Sequence, residues 1–264
     1  MVFGKQVRLG RITKNGRMLC IPMDHSFTIG PVAGLENPEE MVVKVAKGGA
    51  TAFLVHKGII KVLTKPAGIG MIMHVSASTQ LSLAPNRKVL SASVLEGVRL
   101  GADAISIHVN MGSKEEPEML EQLGMVADQC DEYQLPFIAM MYPRGENIKD
   151  PSDPDVVAHV ARVGAESGAD IVKTVYTGDM ESFREVVRKC PVPVVLAGGA
   201  KVATDAEILK LANDVMEAGA MGVTFGRNVF QHRDPTLIVR AIRRIVIERS
   251  SVGEAMEVMS AANA

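Results

Sequence analysis

The sequence predicts an α/β fold, a single (β/α)8 TIM barrel over residues 1–264 that ends in one extra C-terminal helix. Three observations predict it. Short, strongly apolar runs recur at residues 18–23, 51–55, 70–75, 104–109, 136–141, 170–175, 193–197 and 222–225. They do not alternate apolar with polar, which is the pattern of parallel strands buried on both faces. Segments with helical periodicity lie between most of them, so the runs read as eight βα units. Finally, the strings GGATAFLV, LGADAISIH, SGADIVKTV and AGAMGVTFG place Gly-Ala after a helix and before a strand, at Gly49, Gly101, Gly168 and Gly219. Glycine just past a helix end takes the left-handed conformation that stops the helix.

The elements follow in order. The first 17 residues carry Lys5, Arg8, Arg11, Lys14 and Arg17 and no acid. No apolar segment of a targeting signal follows them, so they read as a solvated cap before strand one. Residues 26–37 contain Gly30, Pro31 and Gly34, form a long connection, and are a candidate lid. Helical periodicity covers residues 38–47, 118–132, 154–166, 205–217 and 235–247. The connection 57–70 is short for a full helix, so unit two is expected to be abbreviated. Residues 249–264 form the extra helix, packed on the barrel or on a neighbouring subunit. No Pro/Ser-rich linker or composition break divides the chain.

Composition narrows the function classes. Apolar residues make up 47% and charged residues 22%, as in an ordinary globular domain. The formal net charge of -1 supplies no field for nucleic acid or an anionic membrane. No apolar run is long enough to cross a bilayer. Cys20, Cys130 and Cys190 are distant and odd in number, which suits buried thiols in a reducing cytoplasm.

In such a barrel the reacting groups sit at the C-terminal ends of the strands. The polar residues fall there. Asp24 and His25 end strand one, and His56 and Lys57 end strand two. His74 and Ser76 end strand three, and His108 and Asn110 end strand four. Tyr142 and Arg144 end strand five. Lys173 lies in strand six, which ends at Tyr176. Gly198-Gly199 and Gly226-Arg227 follow strands seven and eight. Four of the six histidines are therefore at strand ends. Taken singly, His56, His74 and His108 read as hydrogen-bonded structural residues, and His159 and His232 as solvated ones.

Lys173 stands inside Ile171-Val172-Lys173-Thr174-Val175. A buried ammonium is costly unless paired or neutralised. Burial and nearby cations lower an amine's pKa and make it nucleophilic, able to form an iminium with a ketone. The alternatives are a lysine paired with a carboxylate or one that reaches out to the barrel mouth. Asp24 and Tyr142 suit proton transfer, or else cap a loop and pack as an aromatic. Gly198, Gly199, Gly226 and Arg227 occupy the usual phosphate position of these barrels. A metal-dependent aldolase or hydrolase is a further reading, but no H-x-H or H-x-x-x-H spacing supports it. A non-catalytic phosphosugar-binding barrel is another, and gives no reason for a buried rim lysine.

The motifs IPMDHS, VHKG, SIHVNMGS, MMYPRG, VKTVYTGD, LAGGAK and GRNVFQH run in order over nearly the whole chain. With them the sequence resembles the archaeal-type class I aldolase family, in its synthase branch that makes 2-amino-3,7-dideoxy-D-threo-hept-6-ulosonate. The resemblance implies Lys173 as the Schiff-base residue, Asp24 as proton acceptor and Tyr142 as proton donor. It implies a substrate site of Asp24, His25, Ser26, Phe27, Thr28, Tyr142, Pro143, Arg144, Lys173, Thr174, Val175 and Tyr176. The implied reaction is a transaldol step between a 6-deoxy-5-ketohexose phosphate and L-aspartate 4-semialdehyde, on a route to 3-dehydroquinate and aromatic amino acids. A cytoplasmic homo-oligomer without metal or other cofactor is implied too. Ser26 stands where glycine is usual and Val175 where serine is common. Within the same family, fructose-bisphosphate aldolase and a thiolase acting on a phosphorylated diketone remain the alternatives.

Overall fold

A computed structural model describes residues 3–261. Eight parallel strands close into a barrel: β1 (Met18–Pro22), β2 (Ala52–His56), β3 (Gly70–His74), then, after a small hairpin of β4 (Ser76–Ala77) and β5 (Val89–Leu90), β6 (Ala104–Met111), β7 (Phe137–Pro143), β8 (Ile171–Thr174), β9 (Val194–Ala197) and β10 (Gly222–Thr224). The ring order is β1-β10-β9-β8-β7-β6-β3-β2. Each apolar run of the sequence is one barrel strand. The antiparallel hairpin, with Ser76 opposite Leu90, is an element the sequence did not announce.

The helices Pro38–Gly48, Glu116–Glu132, Pro154–Glu166, Asp205–Glu217 and Pro235–Val246 lie where periodicity puts them. Their starts are capped from the sequence. Asn37 accepts from Glu40 N at 3.2 Å, Thr204 and Glu207 form a capping box, and Asp234 accepts from Leu237 N at 3.0 Å. Gly49, Gly101, Gly168 and Gly219 all have positive φ, as the four Gly-Ala strings require. Unit two is abbreviated to the four-residue helix Lys57–Ile60. The last helix, Val252–Ala261, packs on Pro235–Val246 and Asp205–Glu217.

Period-2 alternation divides each strand between two cores. Met18, Cys20, Ala52, Leu54, Ile72, Ala104, Ile138, Met140, Ile171 and Val195 fill the barrel interior. Their neighbours, such as Leu19, Phe53, Ile105, Ala139, Val172 and Val223, pack under the helices. All three cysteines are buried and free.

Two expectations need correction. The basic N-terminus is not a solvated cap. Residues Phe3–Ile12 form a helix whose fully buried Ile12 joins the apolar floor of the barrel. Lys5 pairs with Asp131 and, at 2.9 Å, with Asp170, and Arg11 pairs with Asp103 at 3.1 Å. Asp103 and Asp170 stand at strand starts, and Asp131 in the last turn of helix Glu116–Glu132. Asp103 accepts from Met71 N at 2.9 Å and Asp170 from Phe137 N at 2.8 Å. The bases therefore dock the helix by charge while Ile12 docks it by burial. The candidate lid is likewise anchored. It begins as the short helix His25–Ile29 and then buries Val32 and Leu35 in the core. At Gly34, with φ of 88°, a Cβ would lie 1.8 Å from the Phe230 carbonyl oxygen. Only glycine allows so close an approach.

Candidate active site

The strand ends surround a cavity of about 390 Å³ at the C-terminal mouth. β8 delivers Lys173 to its floor. Lys173 shares the inward face with Ile171, pairs across the ladder with Met140 and Val195, and is only 6% exposed. Among the described residues no carboxylate lies in ion-pair contact with its Nζ. Its Nζ makes a weak contact to Met140 Sδ at 3.9 Å and a side-chain hydrogen bond with Tyr142. Lys173 thus makes no contact ion pair, and its amine lies buried on the floor of the mouth cavity.

Burial pulls the Lys173 ammonium down, but Tyr142, Asp24 and Cys20 act the other way, and the balance lies above the ordinary lysine value. This overturns the expectation of a depressed amine. The neighbouring groups favour the charged form of the amine. Burial pushes the Asp24 carboxyl up. His74, His25, Lys173 and His56 outweigh it and hold Asp24 below the usual carboxylate range. His74 is itself pushed down to about 3 by burial. It is neutral near pH 7, so the standing cation beside Asp24 is Lys173.

The histidines form a neutral wall. His74 Nδ1 lies 2.8 Å from Ser106 Oγ, and its ring stacks edge-on against His56 at 5.2 Å. His108 Nε2 lies 2.7 Å from Asn110 Oδ1, and its ring meets Tyr142 at 4.7 Å. Burial is the main cause that lowers the pKa of His25, His56 and His108. His25 Nδ1 lies 3.6 Å from Asp24 Oδ1. His159 is exposed, but His232 is not solvated: its Nε2 pairs with Asp205 at 3.0 Å, and its side chain is mostly covered.

The opposite part of the cavity is made by the glycine loops. Arg227 Nη2 donates to the Gly199 carbonyl at 2.7 Å, while its buried Nε has no partner. Asn228 ties the loop from below, donating to the Gly198 and Ala200 carbonyls and accepting from Val202 N at 2.8 Å. A Cβ at Gly226 would meet the His25 ring at 2.6 Å. Backbone and guanidinium here can hold an anion. The loop also has a packing reason for its glycines.

Of the expected site residues, Asp24, His25, Thr28, Tyr142, Arg144, Lys173, Val175, Gly198, Gly199, Gly226 and Arg227 line this cavity. Five do not. Pro143 and Thr174 follow inward-facing residues and so point outward, Thr174 being fully buried. Ser26 and Phe27 turn toward a neighbouring cavity with His56 and Lys57. Tyr176 packs on Phe183 at 5.4 Å. Sequence reasoning missed Gln80 and Lys88, which also line the mouth. Among the described residues no three His, Cys, Asp or Glu side chains are grouped to hold a metal ion. No helix there is long and apolar enough to cross a membrane.

A model of the DeoC/LacD family of aldolases matches residues 18–232. The chain belongs to the DeoC/LacD aldolase family. This aldolase is 44% identical over 258 residues to 2-amino-3,7-dideoxy-D-threo-hept-6-ulosonate synthase 1 of Archaeoglobus fulgidus, covering 97% of this chain and 96% of that one. It is 37% identical over 257 residues to 2-amino-4,5-dihydroxy-6-oxo-7-(phosphonooxy)heptanoate synthase of Streptomyces griseus, covering 96% and 94%. The aldolase also superposes on a solved archaeal fructose-1,6-bisphosphate aldolase whose catalytic lysine is bound to a carbinolamine intermediate. That match has a TM-score of 0.86 at 31% identity, over 92% of this chain and 99% of the other.

Proposed function

We propose that this aldolase is a Schiff-base transaldolase-type synthase that makes 2-amino-3,7-dideoxy-D-threo-hept-6-ulosonate. The observation that carries the reading is the buried Lys173 Nζ, free of any ion pair, in one cavity with Asp24 and Tyr142. The Lys173 amine adds to the ketone of a 6-deoxy-5-ketohexose phosphate, and loss of water gives an iminium. The iminium accepts the electron pair of the adjacent carbon–carbon bond as it breaks. A three-carbon phosphorylated aldehyde leaves, and an enamine stays on Lys173. The enamine carbon then attacks the aldehyde of L-aspartate 4-semialdehyde. Water hydrolyses the new iminium and returns the amine. Asp24 takes protons and Tyr142 gives them. Gly198, Gly199, Gly226 and Arg227 hold the donor's phosphate. The same reading makes the enzyme a cytoplasmic homo-oligomer on a route to 3-dehydroquinate and aromatic amino acids.

The likeness to fructose-1,6-bisphosphate aldolase favours a second reading, simple cleavage of that bisphosphate. The higher identity to the hept-6-ulosonate synthase ranks it lower. The test is to incubate the enzyme with the ketose phosphate, reduce with borohydride and map the adduct, then assay both reactions. A label on Lys173 and formation of the amino sugar acid are expected. Efficient cleavage of fructose 1,6-bisphosphate with no amino sugar acid would give the reaction to the second reading. A label elsewhere would remove Lys173 from the chemistry.

A further inference from the structure

Lys88 is a buried ionisable group that the chemistry above leaves unused. It ends the loop that joins the two strands of the hairpin and is 5% exposed. Its Nζ donates to Ser78 Oγ at 2.7 Å, and that hydroxyl donates onward to the Pro85 carbonyl at 2.9 Å. No carboxylate among the described residues is in ion-pair contact with it. The loop is held in place, because Gln122 donates to the Lys88 carbonyl and Asn110 to the Asn86 carbonyl. The side chain lines the same cavity as Lys173, beside Arg144. Burial and Arg144 push its pKa down to about 8 against the pull of Asp24, which leaves it largely cationic at neutral pH.

A buried cation without a counter-ion is expensive, and here a second cation, Arg144, stands near it. Position gives the pair a use. In the eight-membered ring β3 stands opposite β9. Lys88, on the loop after β3, is therefore across the mouth from the Gly198-Gly199 loop after β9. The donor's single phosphate is accounted for at the glycine end. One further anion takes part in the reaction, the carboxylate of the acceptor.

We propose that Lys88 and Arg144 form a second anion-binding subsite, across the cavity from the glycine loops, that receives the carboxylate of the incoming amino aldehyde. This rests on the transaldol reading. The subsite selects an acceptor that carries a carboxylate over an aldehyde without one, and a charge-assisted hydrogen bond is the means.

The experiment compares wild type, Lys88→Met and Lys88→Arg. It measures borohydride capture of the donor on Lys173, and KM for L-aspartate 4-semialdehyde and for propanal, a neutral acceptor. In Lys88→Met the KM for the semialdehyde is expected to rise about 10- to 100-fold, the loss typical of one hydrogen bond to a charged group. Donor capture and KM for propanal stay within about twofold, and Lys88→Arg regains most of the loss. Equal losses with both acceptors, or weakened donor capture, overturn the proposal. Donor capture also reports whether the variant is folded. If wild type makes no product from the semialdehyde, the transaldol reading itself has failed. The subsite is then judged on fructose 1,6-bisphosphate against fructose 1-phosphate. Loss of the bisphosphate preference in Lys88→Met keeps a second anion subsite, and an unchanged preference removes it.

Discussion

Replacing Lys88 by methionine is expected to stabilise the fold at neutral pH. An ordinary lysine titrates at 10.5, and Lys88 does so at about 8. Between those values the unfolded chain holds a proton that the folded chain has released. Stability therefore rises with pH across the window from about 8 to 10.5, and the cost of the buried cation is fully present below it. At about 1.4 kcal/mol per pH unit, the gap corresponds to about 3 kcal/mol. Methionine keeps the apolar stem without the ammonium but gives up the bond to Ser78, worth about 1.5 kcal/mol. The remaining gain is about 1.5 kcal/mol at pH 7, or roughly 3–6 °C in Tm for a domain of this size. Urea unfolding of wild type and Lys88→Met at pH 7 and pH 10.5 checks it. The difference should be positive at pH 7 and fall by about 3 kcal/mol by pH 10.5, where mainly the lost Ser78 bond remains and the variant is no more stable than wild type. A variant less stable at pH 7, or a gain independent of pH, would refute the reasoning.

Three other outcomes are expected. Tyr142→Phe removes the proposed proton donor but leaves the amine, so kcat should fall by about 10²- to 10⁴-fold while borohydride still captures the donor on Lys173; loss of capture would contradict the proposed role. Gly34→Ala drives a Cβ into the Phe230 carbonyl at a positive φ, and urea unfolding should show a loss of at least about 2 kcal/mol; an unchanged midpoint would mean the loop is not anchored as described. His74 is held neutral down to about 3 against an ordinary 6.5. The unfolded chain then binds the extra proton between those values, so stability falls as pH drops from 6.5 toward 3. His74→Gln should flatten that part of the curve, and an unaltered acid slope would count against it.

The strands were readable because a doubly buried strand has no polar face, so each shows as an unbroken apolar run. Asp24, Tyr142, Arg144 and Lys173 were readable for the complementary reason: a polar residue ending such a run has few purposes other than the mouth. The same rule overreached by one position. Pro143 and Thr174 sit in the right motifs, but alternation turns them outward, and a motif string does not carry direction. Lys88 was not readable at all. Asn86-Arg87-Lys88 looks like a solvated loop, and only the hairpin brings its ammonium indoors. Asp103 and Asp170 were hidden in the same way. Each stands in a Gly-Ala-Asp string whose glycine explains the turn, while the acid's partner, Arg11 or Lys5, lies 92 or 165 residues away in sequence.

That last pairing reaches the chemistry. Asp170 immediately precedes β8, and Lys173 is three residues further along. Asp170 is gripped from two sides, by Lys5 and by the Phe137 amide of β7. A strand clamped at its foot in this way cannot creep along its neighbours, and a slip of one residue would turn the Lys173 amine out of the barrel. The N-terminal helix thus acts on the amine from the far end of the barrel, as a keel acts on a mast. Trimming those first residues would loosen the aim of a nitrogen they never touch.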